Sequence, residues 1–148
     1  MISVVIPAYN EEKRIKRSLE ALSHQTIPRD DYELIVVDGG SHDKTCEIAR
    51  DYADMVFVQE AERVAGARND GFRRARSNLV ATTDADSSVA SDWVEKAGRS
   101  LSDPGLVLAF GPVTPIERND INKRYALLFN GLIKVGAHSK LYYYTLGC

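Results

Sequence analysis

The sequence is sparing with several features, and each shortage narrows what the protein can be. It has only two cysteines, Cys46 and Cys148, far apart and without metal-type spacing. That argues against a disulfide framework or a zinc cluster and fits a reducing cytoplasm. No apolar run approaches the roughly 20 residues that a helix needs to cross a bilayer. The N-terminus, MISVVIPAYNEE, lacks a basic segment and reaches Pro7 and acidic residues too early for a secretory signal. Charge of one sign is missing as well. The 19 Lys and Arg against 21 Asp and Glu leave a net charge of -2, with no broad pull toward nucleic acid.

What is present is ordinary for a globular domain: 148 residues, 44% hydrophobic and 27% charged, enough to bury a core. The last residues, Tyr144-Thr-Leu-Gly-Cys148, lie in an apolar stretch with no polar tail. Domains usually end on exposed polar positions, so the chain reads as the first part of a longer protein.

Apolar runs alternate with helical patterns. Strands are expected at 2–6, 34–37, 55–58, 79–83 and 106–110, with Pro7 closing the first. Helices are expected at 12–23, with Ile15, Leu19 and Leu22 on one face, and from a Ser41 cap to about Tyr52, with Thr45, Ile48, Ala49 and Tyr52 inward. Two more are expected at 63–76 and from a Ser91 cap through Trp93, Val94 and Ala97. In the third helix, Gly66 and Gly71 suit close approach to a neighbour. This alternation predicts an α/β fold, a mostly parallel Rossmann-like sheet flanked by helices. Such sheets bind ligands beyond the strand C-termini, so the chemistry is expected just after Ile6, Val37 and Thr83. A boundary is expected in the Pro, Arg, Asn and Asp cluster at 112–120. It would divide a first region, 1–115, from a second, 116–148.

The three strand ends each carry polar residues. After Ile6 comes Pro7-Ala-Tyr-Asn-Glu-Glu12, with an aromatic face at Tyr9; taken alone, a plain turn with Asn10 or Glu11 as cap explains it better than a ligand site does. After Val37 comes Asp38-Gly-Gly-Ser-His-Asp43, where two glycines allow a sharp turn or a close ligand approach. After Thr83 comes Asp84-Ala-Asp86. Two carboxylates this close repel unless a cation or hydrogen bonds offset them, and magnesium or manganese takes such oxygen ligands. Short acid-x-acid matches are common by chance, so this motif alone is weak. A dinucleotide fold would need G-x-G-x-x-G after the first strand. A P-loop fails because Gly66 to Gly71 continues Phe72-Arg73. A phosphoacceptor receiver would place its acids after the first and third strands.

Taken in order, VVIPAYNEE, IVVDGGSHDKT, AGARNDGFRRA and DAD resemble the family 2 glycosyltransferases, which have the GT-A fold, over residues 1 to about 115. The resemblance implies a nucleotide-sugar donor (UDP- or GDP-linked), a divalent cation (Mg2+ or Mn2+) and inversion at the sugar carbon. It implies a nucleoside-side turn at Pro7, Ala8, Tyr9 and Glu11, and an acid near the base at Asp38. Arg68 would be the basic residue of the nucleotide pocket. In the turn Asp84-Ala85-Asp86, Asp84 would lie toward the ribose and Asp86 on the metal. Many relatives carry a second acid where this chain has Gly39. The acceptor would be a polysaccharide, lipid or protein glycan, as in cell-envelope synthesis. The general base is expected beyond Cys148, since Glu117 and Asp120 do not sit in a matching motif. Two rival readings are a non-catalytic nucleotide-binding scaffold and a sugar nucleotidyltransferase, although the latter should open with a basic, glycine-rich loop. His24, His42 and His138 share no spacing, and Trp93 suits a core position or a cleft wall. The Arg73-Arg74-Ala-Arg76 cluster and the apolar residues of 125–144 read as a solvated face and as packing. Peripheral attachment at the inner face of a membrane is the alternative.

Overall fold

The computed structural model describes residues 1–100. Nine elements follow in order: β1 Ile2–Ala8, α1 Ile15–Ser23, a 3-10 turn Arg29–Asp31, β2 Tyr32–Asp38, α2 Thr45–Arg50, β3 Met55–Val58, α3 Arg63–Arg74, β4 Val80–Thr82 and α4 Trp93–Ser100. The four strands form one parallel sheet in the order β3-β2-β1-β4. The chain first steps outward from β1 to β3, then returns through α3 to the far side of β1. That reversal opens a crevice between the C-terminal ends of β1 and β4, where open α/β sheets bind ligands.

β1 and β2 are buried along their whole length, as central parallel strands are. On one face, Val4, Ile6, Leu34 and Val36 pack with Ile15, Leu19 and Leu22 of α1, Ala49 of α2 and Val94 of α4. On the other, Val5, Ile35 and Val37 meet Ala67 of α3. Gly71 lets α3 lie close to the sheet: a Cβ there would stand 2.3 Å from Val5 Cγ1. At Gly66 a Cβ would stand 2.8 Å from the Ala61 backbone. Both glycines thus serve the close approach that their spacing predicts. At the opposite edge of the sheet from the crevice, the register partners Ser3 and Glu33 form a buried polar pair. Ser3 Oγ donates to Glu33 Oε1 at 2.6 Å, and the Arg76 N–H donates to the same oxygen at 2.7 Å. This pair ties down the segment that leads into β4.

Several boundaries differ from the pattern in the sequence. β1 does not stop before Pro7, which pairs with Val37 inside the strand. On the β4 side, Ser3 N–H donates to Leu79 O and Val5 O accepts from Thr83 N–H. Pro7 is next in that alternating series and has no N–H, but β4 has already ended at Thr82, so no ladder bond is lost. The two strands part there, and the crevice begins. α1 starts at Ile15 rather than Glu12, because the amides of residues 10–12 are bound by another loop. Ser41 does not cap α2, which runs only from Thr45 to Arg50; its hydroxyl is engaged by Asp38 and Asn10. At α4, the Val94 N–H is held by Gln25 Oε1 at 2.9 Å, so the segment just after α1 supplies a side-chain acceptor where Ser91 was expected to cap. Among the described residues no helix is long and apolar enough to cross a membrane. The expected strand at 106–110, the boundary at 112–120, Glu117, Asp120, His138, Cys148 and the apolar segment 125–144 lie outside the described residues.

Candidate active site at the crevice edge

The loop after β1 and the loop after β2 are laced together by side chains. Ser41 Oγ accepts the Asn10 N–H at 2.8 Å, Thr45 Oγ1 accepts the Glu11 N–H at 2.8 Å, and Asp43 Oδ2 accepts the Glu12 N–H at 3.1 Å. Each hydroxyl is satisfied in both directions: Ser41 donates to Asp38 Oδ1, and Thr45 donates to Asp43 Oδ1. The order Ser41-x-Asp43-x-Thr45 in the second loop therefore grips three successive amides of the first. These amides are spent and cannot form an anion-binding nest. The Asp43 carboxyl is pushed up by burial, but the bonds from Thr45 and the Glu12 amide outweigh this and hold it below its ordinary value.

Asp38 lies at the expected edge but is turned inward. It is 1% exposed, and its Oδ2 accepts the amides of Gly40 (3.0 Å) and Ser41 (2.8 Å). It anchors its own glycine turn, where Gly40 adopts a φ of +88° that few other residues tolerate. Gly39 gives the Tyr9 ring a place to rest: a Cβ there would lie 3.2 Å from both Tyr9 Cβ and Cδ2. Tyr9 itself is 57% exposed, an aromatic surface at the mouth of the crevice. Pro7 and Ala8 are buried in β1 beneath it. Glu11 is partly buried, and its carboxylate meets Arg14 Nη1 at 3.2 Å.

The Asp84-Ala85-Asp86 turn has a simple architecture. Ala85 is buried in the core on the α1 side, and the two aspartates flanking it are exposed. Ser18 Oγ of α1 approaches Asp84 O at 3.4 Å. A small residue pinned inside thus leaves both carboxylates on the solvent side of the crevice. Arg68 Nη2, from α3, contacts Asp84 Oδ1 at 2.5 Å. Asp86 has no hydrogen bond or ion pair among the described residues. The sheet edge therefore gathers Tyr9, the Asp38 turn, Arg68, Asp84 and Asp86, while closing off the Asp38 carboxylate.

The basic cluster at the end of α3 is largely neutralised. Arg73 pairs with Asp70 at 3.2 Å, Arg74 with Glu60 at 2.5 Å and Arg76 with Glu33 at 3.3 Å. Arg74 also lies 3.8 Å from the centre of the Phe57 ring. Trp93 is partly buried against the core, the His24 ring bonds Glu20 O one helical turn back, and His42 is held through its backbone N–H, which donates to Asn10 Oδ1. Sequence reasoning missed Asp43 and Thr45 as organisers of the site and read Asn10 only as a turn or cap residue. Their partners lie far along the chain or on another loop, and no local pattern marks them.

The family model for glycosyl transferase family 2 matches residues 3–146. The chain belongs to glycosyl transferase family 2. Glycosyltransferase AglE of Haloferax volcanii is 36% identical over 118 residues, which cover 76% of this chain and 39% of that protein. Human dolichyl-phosphate beta-glucosyltransferase is 31% identical over 156 residues, covering 93% of this chain and 48% of that one. Among solved structures, the mannosyltransferase PcManGT from Pyrobaculum calidifontis, in complex with GDP-Man and Mn2+, is similar with a TM-score of 0.61 at 35% identity, over 70% of this chain and 32% of that one. S. aureus TarS 1-349 in complex with UDP-GlcNAc has a TM-score of 0.62 at 28% identity, over 69% of this chain and 31% of that one. This family 2 chain spans less than half the length of each of these relatives. Its parallel sheet and flanking helices are of the GT-A type that the motifs imply.

Proposed function

We propose that this family 2 chain forms the donor side of a metal-dependent glycosyltransferase. It would take a sugar from a UDP- or GDP-sugar and pass it, with inversion, to a polysaccharide, lipid or protein-glycan acceptor. The observation that carries this reading is the exposed carboxylate of Asp86, without a partner among the described residues, beside the Arg68–Asp84 pair at the crevice where the strand order reverses. Support for the donor class comes from the similar proteins solved with GDP-Man and UDP-GlcNAc.

The residues at the crevice fit a hard divalent cation such as Mg2+ or Mn2+. The donors are carboxylate oxygens, and no cluster of three acidic, histidine or cysteine ligands exists among the described residues. One or two carboxylates plus substrate phosphates are what such an ion commonly takes. Asp86 would hold it. Bound there, a divalent cation offsets the charge that grows on the departing nucleoside diphosphate.

The chain's own residues divide the remaining work. The Tyr9 face stacks on the nucleoside base, and the closed Asp38 turn supports that ring from below. Arg68 offers a guanidinium fork to a phosphate oxygen, and Asp84 accepts from the ribose hydroxyls. Because the amides of residues 10–12 are already bound, backbone N–H groups of that loop contribute nothing to the diphosphate, and the positive charge must come from Arg68 and the cation. The acceptor hydroxyl must lose its proton as it attacks; no described residue is assigned that role.

Calorimetric titration with UDP and GDP, with and without Mn2+, tests the reading. Mn2+ should tighten binding to the wild-type chain and do nothing for Asp86→Ala. Nucleotide binding that ignores Mn2+ and survives Asp86→Ala would remove the metal role, and binding without sugar transfer by the longer protein would favour a scaffold.

A further inference from the structure

We propose that Asn10 is a positioning residue, whose left-handed backbone and side-chain amide together set the Tyr9 ring on Gly39. The inference rests on the sugar-transfer reading only for the identity of the ligand that the ring meets.

Asn10 has a φ of +53°, one of two non-glycine residues with positive φ among those described. Asparagine tolerates this region better than most side chains. Both polar groups of the residue then reach the same loop. Its N–H donates to Ser41 Oγ at 2.8 Å, and its Oδ1 accepts the His42 N–H at 2.9 Å. Ser41 is in turn held by the buried Asp38 carboxylate through its hydroxyl and its amide. A continuous chain of bonds thus runs from the end of β2 to the residue that follows Tyr9.

Tyr9 has no such support of its own. Its side chain makes no hydrogen bond among the described residues, and more than half of it is exposed. What locates the ring is the direction in which the backbone leaves β1 and the flat surface of Gly39. The backbone direction is set one residue later, at Asn10. Releasing Asn10 should therefore leave β1 and the core intact while freeing the ring, so the effect falls on binding more than on folding.

Asn10→Gly keeps the left-handed turn available and deletes the side-chain acceptor; Asn10→Asp keeps an oxygen acceptor. In the ligand-free protein, NMR should show His42 amide exchange about tenfold faster in Asn10→Gly. The Tyr9 ring signals should move toward those of an unrestrained ring, and Asn10→Asp should preserve both. UDP and GDP affinity should fall about tenfold in Asn10→Gly, and that loss should vanish in a Tyr9→Ala background. An unmoved Tyr9 ring in a folded Asn10→Gly protein overturns the proposal. So does an affinity loss that is equal with and without the Tyr9 side chain. Failure of the wild-type chain to bind either nucleotide would instead sink the sugar-transfer reading, and the ring measurement would still decide the role of Asn10.

Discussion

Arg68 Nη2 lies 2.5 Å from Asp84 Oδ1, joining α3 to the turn that follows β4, while Asp86 two residues on has no partner among the described residues. The pair explains how two close carboxylates coexist at one strand end. One is offset by a guanidinium from a neighbouring helix, and the other stands exposed with no hydrogen bond or ion pair among the described residues. Since Asp84 is 57% exposed, the pair adds little to stability. Its consequence is an asymmetry between the two acids.

That asymmetry predicts unequal mutants. Arg68→Ala should weaken UDP and GDP binding by about tenfold or more, since a charged hydrogen bond to phosphate is lost. Arg68→Lys should restore only part of this, because an ammonium cannot copy the planar fork. Titration calorimetry at fixed ionic strength measures both.

Asp86→Asn should leave the fold untouched. An exposed side chain without a partner is worth less than about 0.5 kcal/mol either way, so thermal unfolding without metal should superimpose on the wild type. The stabilisation that Mn2+ gives the wild-type protein should be absent from the variant. A variant that still gains stability from Mn2+ would place the ion elsewhere.

Gly71→Ala should be costly although it adds a single methyl group. Its Cβ would press on Val5 Cγ1 in the central strand, so α3 must lift. Overpacking of this kind costs about 1–3 kcal/mol, readable as a lowered midpoint in urea. Gly40→Ala should cost about 1 kcal/mol for a different reason, the φ of +88°.

Acid should loosen the loops before the core. The Ala61 and Glu60 amides, helped by Arg73, hold the Asp70 carboxyl below its ordinary value of 3.8. A carboxyl lowered in the folded state stabilises that state above its unfolded value, and the benefit disappears as the pH falls through the folded value. Stability should therefore be flat near neutrality and decline below about pH 4. Asp70→Asn should lower stability at neutral pH and flatten that acid limb; denaturant titrations across the range would show it.

Much of the fold was legible along the chain. Ile15, Leu19 and Leu22 mark α1 by helical spacing, and all three are fully buried. Leu34 to Val37 reads as a central strand because it is apolar on both faces, and it is. That the segments after Ile6, Val37 and Thr83 share one edge followed from the alternation of strands and helices, which in a parallel sheet sends every strand end to one side. The errors share a cause. Ser41 and Ser91 carry the local marks of helix caps, but a hydroxyl binds whichever partner the fold brings nearest. For Ser41 that was Asp38 and Asn10, and at α4 a glutamine just after α1 took the place expected of Ser91.

By itself, the sequence determined which residues would be inside, which class of sheet they would build, and that acids would gather at its ligand edge, because burial and strand–helix alternation are written in local periodicity. Only the tertiary structure decided what each acid does there. Asp38 faces inward and spends itself on its own turn, Asp84 meets Arg68, and Asp86 has no partner among the described residues. The three carboxylates are chemically identical in the chain. They differ only through partners that the sheet order and the packing of α3 bring within reach.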